Sequence, residues 1–420
     1  MTREPLNELA LHGGPKVREE PFPQRGHVGR EEKAAVDALF DQAIETGVAP
    51  GYNGESEQAY CEEFAALMGG GYVDAVNSGT SGLYVALKAL NLEPFSEVIV
   101  AAVTDPGGLM PVPLQNLIPI MADTAPDSYN TGPDQVAALI SPLTSAIVVA
   151  HIAGEPADIA GIVEIAREHG LPVIEDCSQS HAATLHGKLV GTYGDIGVFS
   201  TMFGKHHSSG GQGGLVYTQD EALYHAVRRA SDRGKPFFLP PGSTNAVASL
   251  NLNLNDLAAA IGRVQLRKLP DIVAARRAVV AGLAEGIAGL STVAVPEQVE
   301  GADPTYWFLR LRFEAQAASC DKTTYCQALG AEGLSIAPDY RGALPHKMDW
   351  FVQRRVFGSS GYPWASPDYA GDPDRQFPCP NAEATMDCHF NLHFYESWGQ
   401  DEIVDAVAIF AKVDRAYAVR

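Results

Sequence analysis

A chain of 420 residues with 30 Lys and Arg against 51 Asp and Glu carries a net charge of −21. A field of that sign repels phosphodiester backbones and anionic lipid surfaces, which speaks against a nucleic-acid or membrane partner. The length suffices for a large α/β domain plus a smaller one. Glu4 and Glu8 interrupt residues 1–14, so no secretory signal is expected. The six cysteines, Cys61, Cys177, Cys320, Cys326, Cys379 and Cys388, are scattered and point to reduced thiols in a cytoplasm. No apolar run approaches the roughly 20 residues of a membrane helix.

In chain order, the first informative segment is Asn77-Ser78-Gly79-Thr80-Ser81-Gly82, followed by an apolar helical run over residues 83–90. Small residues at a helix start leave free N–H groups at the positive end of the dipole, which suits an anion; a plain N-cap is the alternative. From residue 98 to 216 short β-branched runs alternate with helical ones. The runs at 98–103, 118–122, 146–152, 172–175, 197–199 and 215–218, with an amphipathic helix at 159–169, predict a mainly parallel, doubly wound sheet.

Within it, the strand ending in Glu175-Asp176 delivers a carboxylate to the carboxyl edge of the sheet, where open α/β folds bind ligands. Asp176 could there hold a protonated ring nitrogen, or cap the next helix. Farther on, a strand ends at Ser200 and Lys205 follows, ahead of the small-residue run 208–214. A lysine among apolar and small residues at a sheet edge is a candidate for a depressed pKa and an imine-forming amine.

Residues 256–287 read as one long helical pattern that Pro270 should kink or split. Residues 306–313 predict a strand, 339–379 a long ordered loop bordering the site, and 401–413 a closing helix with Ile403, Val407 and Phe410 on one face. Cys379, Cys388, His389 and His393 match no common zinc spacing, so a half-buried strand and turn is read there and no metal is expected.

Taken together, the segments around Gly79, Asp176 and Lys205 resemble the DegT/DnrJ/EryC1/StrS family of sugar and cyclitol aminotransferases, within the fold-type I pyridoxal-phosphate enzymes. The resemblance covers nearly the whole chain, and residues 9–18 look like the opening of the cyclitol branch. It implies an α/β fold with a mainly parallel seven-stranded-type sheet flanked by helices and a smaller C-terminal α+β domain. The chain would divide into an arm (1–35), a large cofactor-binding domain (36–265) and a connector helix with the small domain (266–420).

It further implies pyridoxal 5'-phosphate as cofactor, with Lys205 as the catalytic Schiff-base lysine and Asp176 on the pyridine nitrogen. Gln179 would lie near the phenolic oxygen. The backbone of Gly79, Thr80 and Ser81 and the hydroxyl of Ser200 would cradle the phosphate. Asn251 would reach the phosphate of a neighbouring subunit, so a homodimer with shared sites is implied. The implied reaction moves an amino group from glutamine or glutamate to a ketone of a sugar, cyclitol or related intermediate.

The sequence departs from the family pattern in places. Asp105 stands where an aromatic commonly stacks on the pyridine ring, so either another side chain covers the ring or the loop is rebuilt. Asn253 and Gln212 replace the usual Arg and acid. Asp105, His206 and Tyr340 are candidates for ring or substrate contact, although adjacent residues in a strand-like segment point Lys205 and His206 to opposite sides. Elimination, decarboxylation or oxidation on the same cofactor stays open, as does a non-catalytic cofactor-binding regulator. A Rossmann dehydrogenase does not fit, since the first strand-to-helix turn of the sheet lacks Gly-x-Gly-x-x-Gly.

Overall fold

The computed structural model describes residues 4–419. Seven buried strands form its large sheet: β1 (Tyr72–Val76), β2 (Glu97–Ala101), β3 (Ile118–Ala122), β4 (Thr144–Ala150), β5 (Val173–Asp176), β6 (Ile196–Ser200) and β7 (Gly214–Thr218). Their order is β1-β7-β6-β5-β4-β2-β3. The β6-β5-β4-β2-β3 ladder is parallel, and β7 runs antiparallel to both neighbours. Buried Val, Ile and Ala dominate these strands because both faces are covered.

The strands predicted between residues 98 and 218 are all present, with ends moved by no more than two residues. The edge strand β1 was not legible. Its centre is Asp74, a poor strand former, whose buried carboxylate is held by Arg228 from α5 (Glu221–Ser231).

Helices α2 (Glu55–Leu67), α3 (Gly79–Ala89), α4 (Ile159–Glu168) and α5 flank the sheet, whereas α1 (Arg30–Thr46) packs on the long helix over residues 256–287. Of the kink or split expected at Pro270, the split does not occur, since α6 (Asp256–Ile287) continues through it. A proline removes one backbone bond, but Leu266, Leu269, Ile272 and Val273 on both sides of it are buried. Tertiary packing of that face holds the helix across the gap.

A second sheet, wholly antiparallel, comprises β8 (Val293–Ala294), β9 (Leu309–Phe313), β10 (Ser335–Ala337) and β11 (His389–His393) in the order β8-β9-β11-β10. It is joined by α7 (Lys322–Ala331), α8 (Pro380–Cys388) and α9 (Gln400–Tyr417). As predicted, Ile403, Val407 and Phe410 lie on one face of α9, all packed into the core of the second sheet, and Ile403 and Val407 meet α6. A Cβ on Gly282 would lie 2.9 Å from Ile403, and one on Gly286 would collide with Val407. Glycine at these two positions lets the helices touch.

The 339–379 segment is ordered by its own apolar residues. Phe351, Trp364 and Tyr369 join the core of the large sheet, and Tyr369 donates to Glu97 at 2.7 Å. Among the described residues, no helix is long and apolar enough to cross a membrane.

Candidate active site

The carboxyl ends of β4, β5 and β6 and the amino end of α3 converge on a cavity of about 270 Å3. Its wall includes Gly79, Thr80, Asp105, Asp176, Gln179, Ser200, Gln212 and Lys205. Residues distant in sequence meet there because parallel strands all end on the same edge.

Helix α3 begins at the cavity. Ser78 caps it by accepting from the Ser81 amide at 3.1 Å, and the Ser81 hydroxyl donates to Asn77 at 2.6 Å. Ser81 is thereby taken up within the helix turn and is absent from the cavity wall. Among the described residues, the amides of Gly79 and Thr80 have no acceptor in the chain and mark the positive end of the helix. Gly79 is required by closeness, since a Cβ there would lie 2.6 Å from that of Ser200.

Asp176, the last residue of β5, is buried and accepts from the Ser178 amide at 3.0 Å. Burial raises its pKa above the usual carboxylate value, opposed by Ser178 and by Lys205. Lys205 follows β6 in a tight turn, with its amide donating to the Met202 carbonyl at 2.9 Å. Its Nζ lies 3.7 Å from the centre of the Trp307 ring. Burial lowers the Lys205 pKa from 10.5 to about 8, although Asp176 and Asp105 pull it upward.

An amine with that pKa is half deprotonated near pH 8. The rate at which Lys205 of the cofactor-free chain adds to an aldehyde should therefore climb with pH through about 8 and level off above. Stopped-flow absorbance across a pH series measures this, and a half-point near 10.5 would show that burial does not control the amine.

Gln179 is held at both ends. Its carbonyl accepts from the Ala153 amide at 2.8 Å, and its amide group donates to the Tyr340 hydroxyl at 3.1 Å. Tyr340 thus brings the 339–379 segment to the site, and burial raises its pKa to about 12.

Asp105 is exposed at the rim, where its carboxylate accepts from the Gly107 amide at 2.8 Å. The loop is rebuilt as a tight turn over Pro106–Gly108. A Cβ on Gly107 would strike Thr80 and one on Gly108 would strike Thr104, so glycine lets this loop settle on α3.

His206 is placed away from the cavity. It is buried, with Nε2 at 3.1 Å from the Thr305 carbonyl, and successive side chains of the turn diverge. His181 and His207 pair through their Nδ1 atoms at 2.9 Å, and His207 meets the Tyr60 hydroxyl at 2.8 Å. Burial lowers the pKa of all three and keeps them neutral. Asn251 is exposed and outside the cavity wall, and it accepts from Asn253 at 2.7 Å.

Sequence reasoning missed His151 and Trp307, both in the wall. His151 directly follows β4, so the rule that ligands sit beyond strand ends could have found it. It donates from Nε2 to Glu175 at 3.1 Å and accepts from the Ala157 amide at 3.0 Å. Trp307 enters from beside the second sheet and had no local signal. His389, in the stretch read as a half-buried strand and turn, accepts from Arg310 at Nδ1 and donates to Asp127 at 2.7 Å.

Comparison with known proteins agrees with this geometry. The chain is 32% identical over 429 residues to L-glutamine:2-deoxy-scyllo-inosose aminotransferase of Streptomyces fradiae, covering 98% of each chain. It is 29% identical over 419 residues to a putative L-glutamine:3-amino-2,3-dideoxy-scyllo-inosose aminotransferase of Streptoalloteichus tenebrarius, covering 96% of this chain and 97% of the other. Among solved structures, the aminotransferase from Psychrobacter cryohalolentis superposes with a TM-score of 0.79 at 25% identity, covering 93% of this chain and 98% of that one. The fold is that of the fold-type I pyridoxal-phosphate enzymes. The sequence pattern of the DegT/DnrJ/EryC1/StrS aminotransferase family matches residues 31–410, and the chain belongs to that family of enzymes.

Proposed function

We propose that this enzyme holds pyridoxal 5'-phosphate in the cavity and moves an amino group from glutamine or glutamate to a ketone on a cyclitol or sugar ring. The observation that carries the reading is the buried pair of Lys205 and Asp176 in one cavity with the open end of α3. The residues fit the cofactor. An amine with a pKa near 8 suits an aldehyde, a buried carboxylate suits a ring N–H, and the Gly79 and Thr80 amides with the Ser200 hydroxyl suit a phosphate.

Bound there, the cofactor would supply an electron sink for the electron pair left when the donor loses its α-proton. The Lys205 Nζ is the group positioned to accept that proton and to return it. Asp176 favours the protonated ring nitrogen by its negative charge. Gln179, fixed by Ala153 and Tyr340, borders the space beside Asp176 and orients what enters.

Glutamine is proposed as donor and a cyclitol ketone as acceptor because the Streptomyces fradiae relative is similar along 98% of this chain. A donor and ketone screen tests this. The visible band of the bound cofactor should vanish with glutamine or glutamate and return with a cyclitol ketone, with the amine seen by mass spectrometry. Failure of every amino donor to remove the band would overturn the reading.

A homodimer is part of the proposal. Asn251 is exposed beside Leu250, which is 54% exposed, as suits a residue completing a second subunit's phosphate site. The six unpaired cysteines support a reducing compartment, proposed to be the cytoplasm.

A further inference from the structure

Arg25, Arg276 and Glu396 line no part of the cavity, yet all three converge on the segment carrying Lys205. Arg25, from the chain ahead of α1, donates from Nη1 to the Lys205 carbonyl at 2.6 Å and from Nη2 to the His206 carbonyl at 2.9 Å. Its Nε donates to Glu396 at 2.7 Å. The other oxygen of Glu396 accepts from Arg276 of α6 at 2.7 Å. Arg276 in turn donates to the carbonyls of Tyr306 at 2.7 Å and Trp307 at 2.8 Å. The circuit closes where the Trp307 indole donates to the Gly204 carbonyl at 2.9 Å and its ring faces the Lys205 amine.

Two further observations argue that this circuit does more than hold the fold together. Burying an ion network costs desolvation and adds little net stability, so its use lies in fixing one arrangement. Burial opposes the charge on Glu396, yet Arg25 and Arg276 hold its pKa below the ordinary value. Tyr306 also sits in the left-handed region at φ 51, which an ordinary side chain adopts only when its surroundings impose it. That turn is clamped between Arg276 and the backbone, with the Trp307 amide donating to Ala153 at 2.8 Å.

We propose that Arg25, Glu396 and Arg276 are a positioning relay for Lys205. Arg25 fixes the main chain that carries the amine, and Arg276 fixes the indole against which the amine rests. The inference rests on the reading of Lys205 as the reacting amine. Its consequence is that the chain ahead of α1 and the segment after β11 must both be docked before the lysine is in place.

Arg25→Lys tests it. Lysine keeps the charge toward Glu396 but cannot fork to two carbonyls and a carboxylate together. The charged groups facing the Lys205 amine, Asp176 and Asp105, are untouched. Capture of pyridoxal 5'-phosphate by the cofactor-free full-length chain, trapped with borohydride and mapped to Lys205, should slow by about tenfold or more. The kcat should fall similarly with KM for the donor unchanged. Binding of 4'-deoxypyridoxine 5'-phosphate, which lacks the aldehyde, should not change.

Wild-type capture and kcat in Arg25→Lys would overturn the proposal. So would an equal loss of analogue binding, or failure of both Arg25→Lys and Arg25→Met to fold, since either makes Arg25 merely structural. Trapping of the wild-type cofactor on another lysine would instead remove the underlying assignment of Lys205, whatever the Arg25 variants do.

Discussion

Lys205→Ala should lower turnover by about 10,000-fold or more and abolish the visible band that covalent attachment to the protein gives the added cofactor. The size follows from two losses at one position. General acid-base catalysis by a placed side chain contributes about 100- to 10,000-fold, and the covalent hold on the cofactor aldehyde disappears with the same amine. The amine is buried over Trp307. Added methylamine should restore a small part of the rate, because a diffusing amine can accept the α-proton without being positioned. Absorbance spectra and steady-state rates check both effects. An unchanged spectrum would mean that the central assignment is wrong.

Asp176→Asn should cost about 100- to 1,000-fold in the donor half-reaction, in line with removing one pre-oriented electrostatic group. The substitution is nearly isosteric, and an asparagine oxygen can keep the 3.0 Å bond from the Ser178 amide, so the local backbone should survive. What is lost is the negative charge that favours a protonated ring nitrogen. Without cofactor, the variant should be at least as stable as the parent at neutral pH. Burial already raises the Asp176 pKa, so the parent holds an unfavourable buried charge there. Single-turnover kinetics with glutamine and a thermal melt separate the two effects. A variant that keeps a tenth of the parental rate would remove Asp176 from the assigned role.

The parts of this site that could be read in the sequence are those where local pattern and chemistry coincide. Asp176 and Ser200 end apolar strands, Gly79 opens an amphipathic helix, and Lys205 lies in a run too apolar and small for an exposed loop. Each is set by the chain within a few residues of itself, so the alternation of strand and helix already placed it on the ligand edge. The parts that could not be read depend on pairs far apart. β1 is a strand because Arg228 neutralises Asp74, and α6 passes Pro270 because its neighbours bury the flanking turns.

The departure at Asp105 shows the same division. The sequence revealed that no aromatic stands there, but only the packed loop shows the carboxylate capping its own turn and Gly107 settling on Thr80. Of the two rings in the cavity wall, Trp307 comes from the segment before β9, and a left-handed residue at 306 directs its course.

By itself, then, the sequence determined the strand-helix order between residues 98 and 218, the edge of the sheet on which the cavity lies and the side-chain chemistry of Lys205 and Asp176 there, since periodicity and side-chain type are local properties. Only the tertiary structure decided the low pKa of the lysine, the indole it rests on and the arginine clamp behind it. Desolvation and long-range contact exist only once distant segments have been packed together.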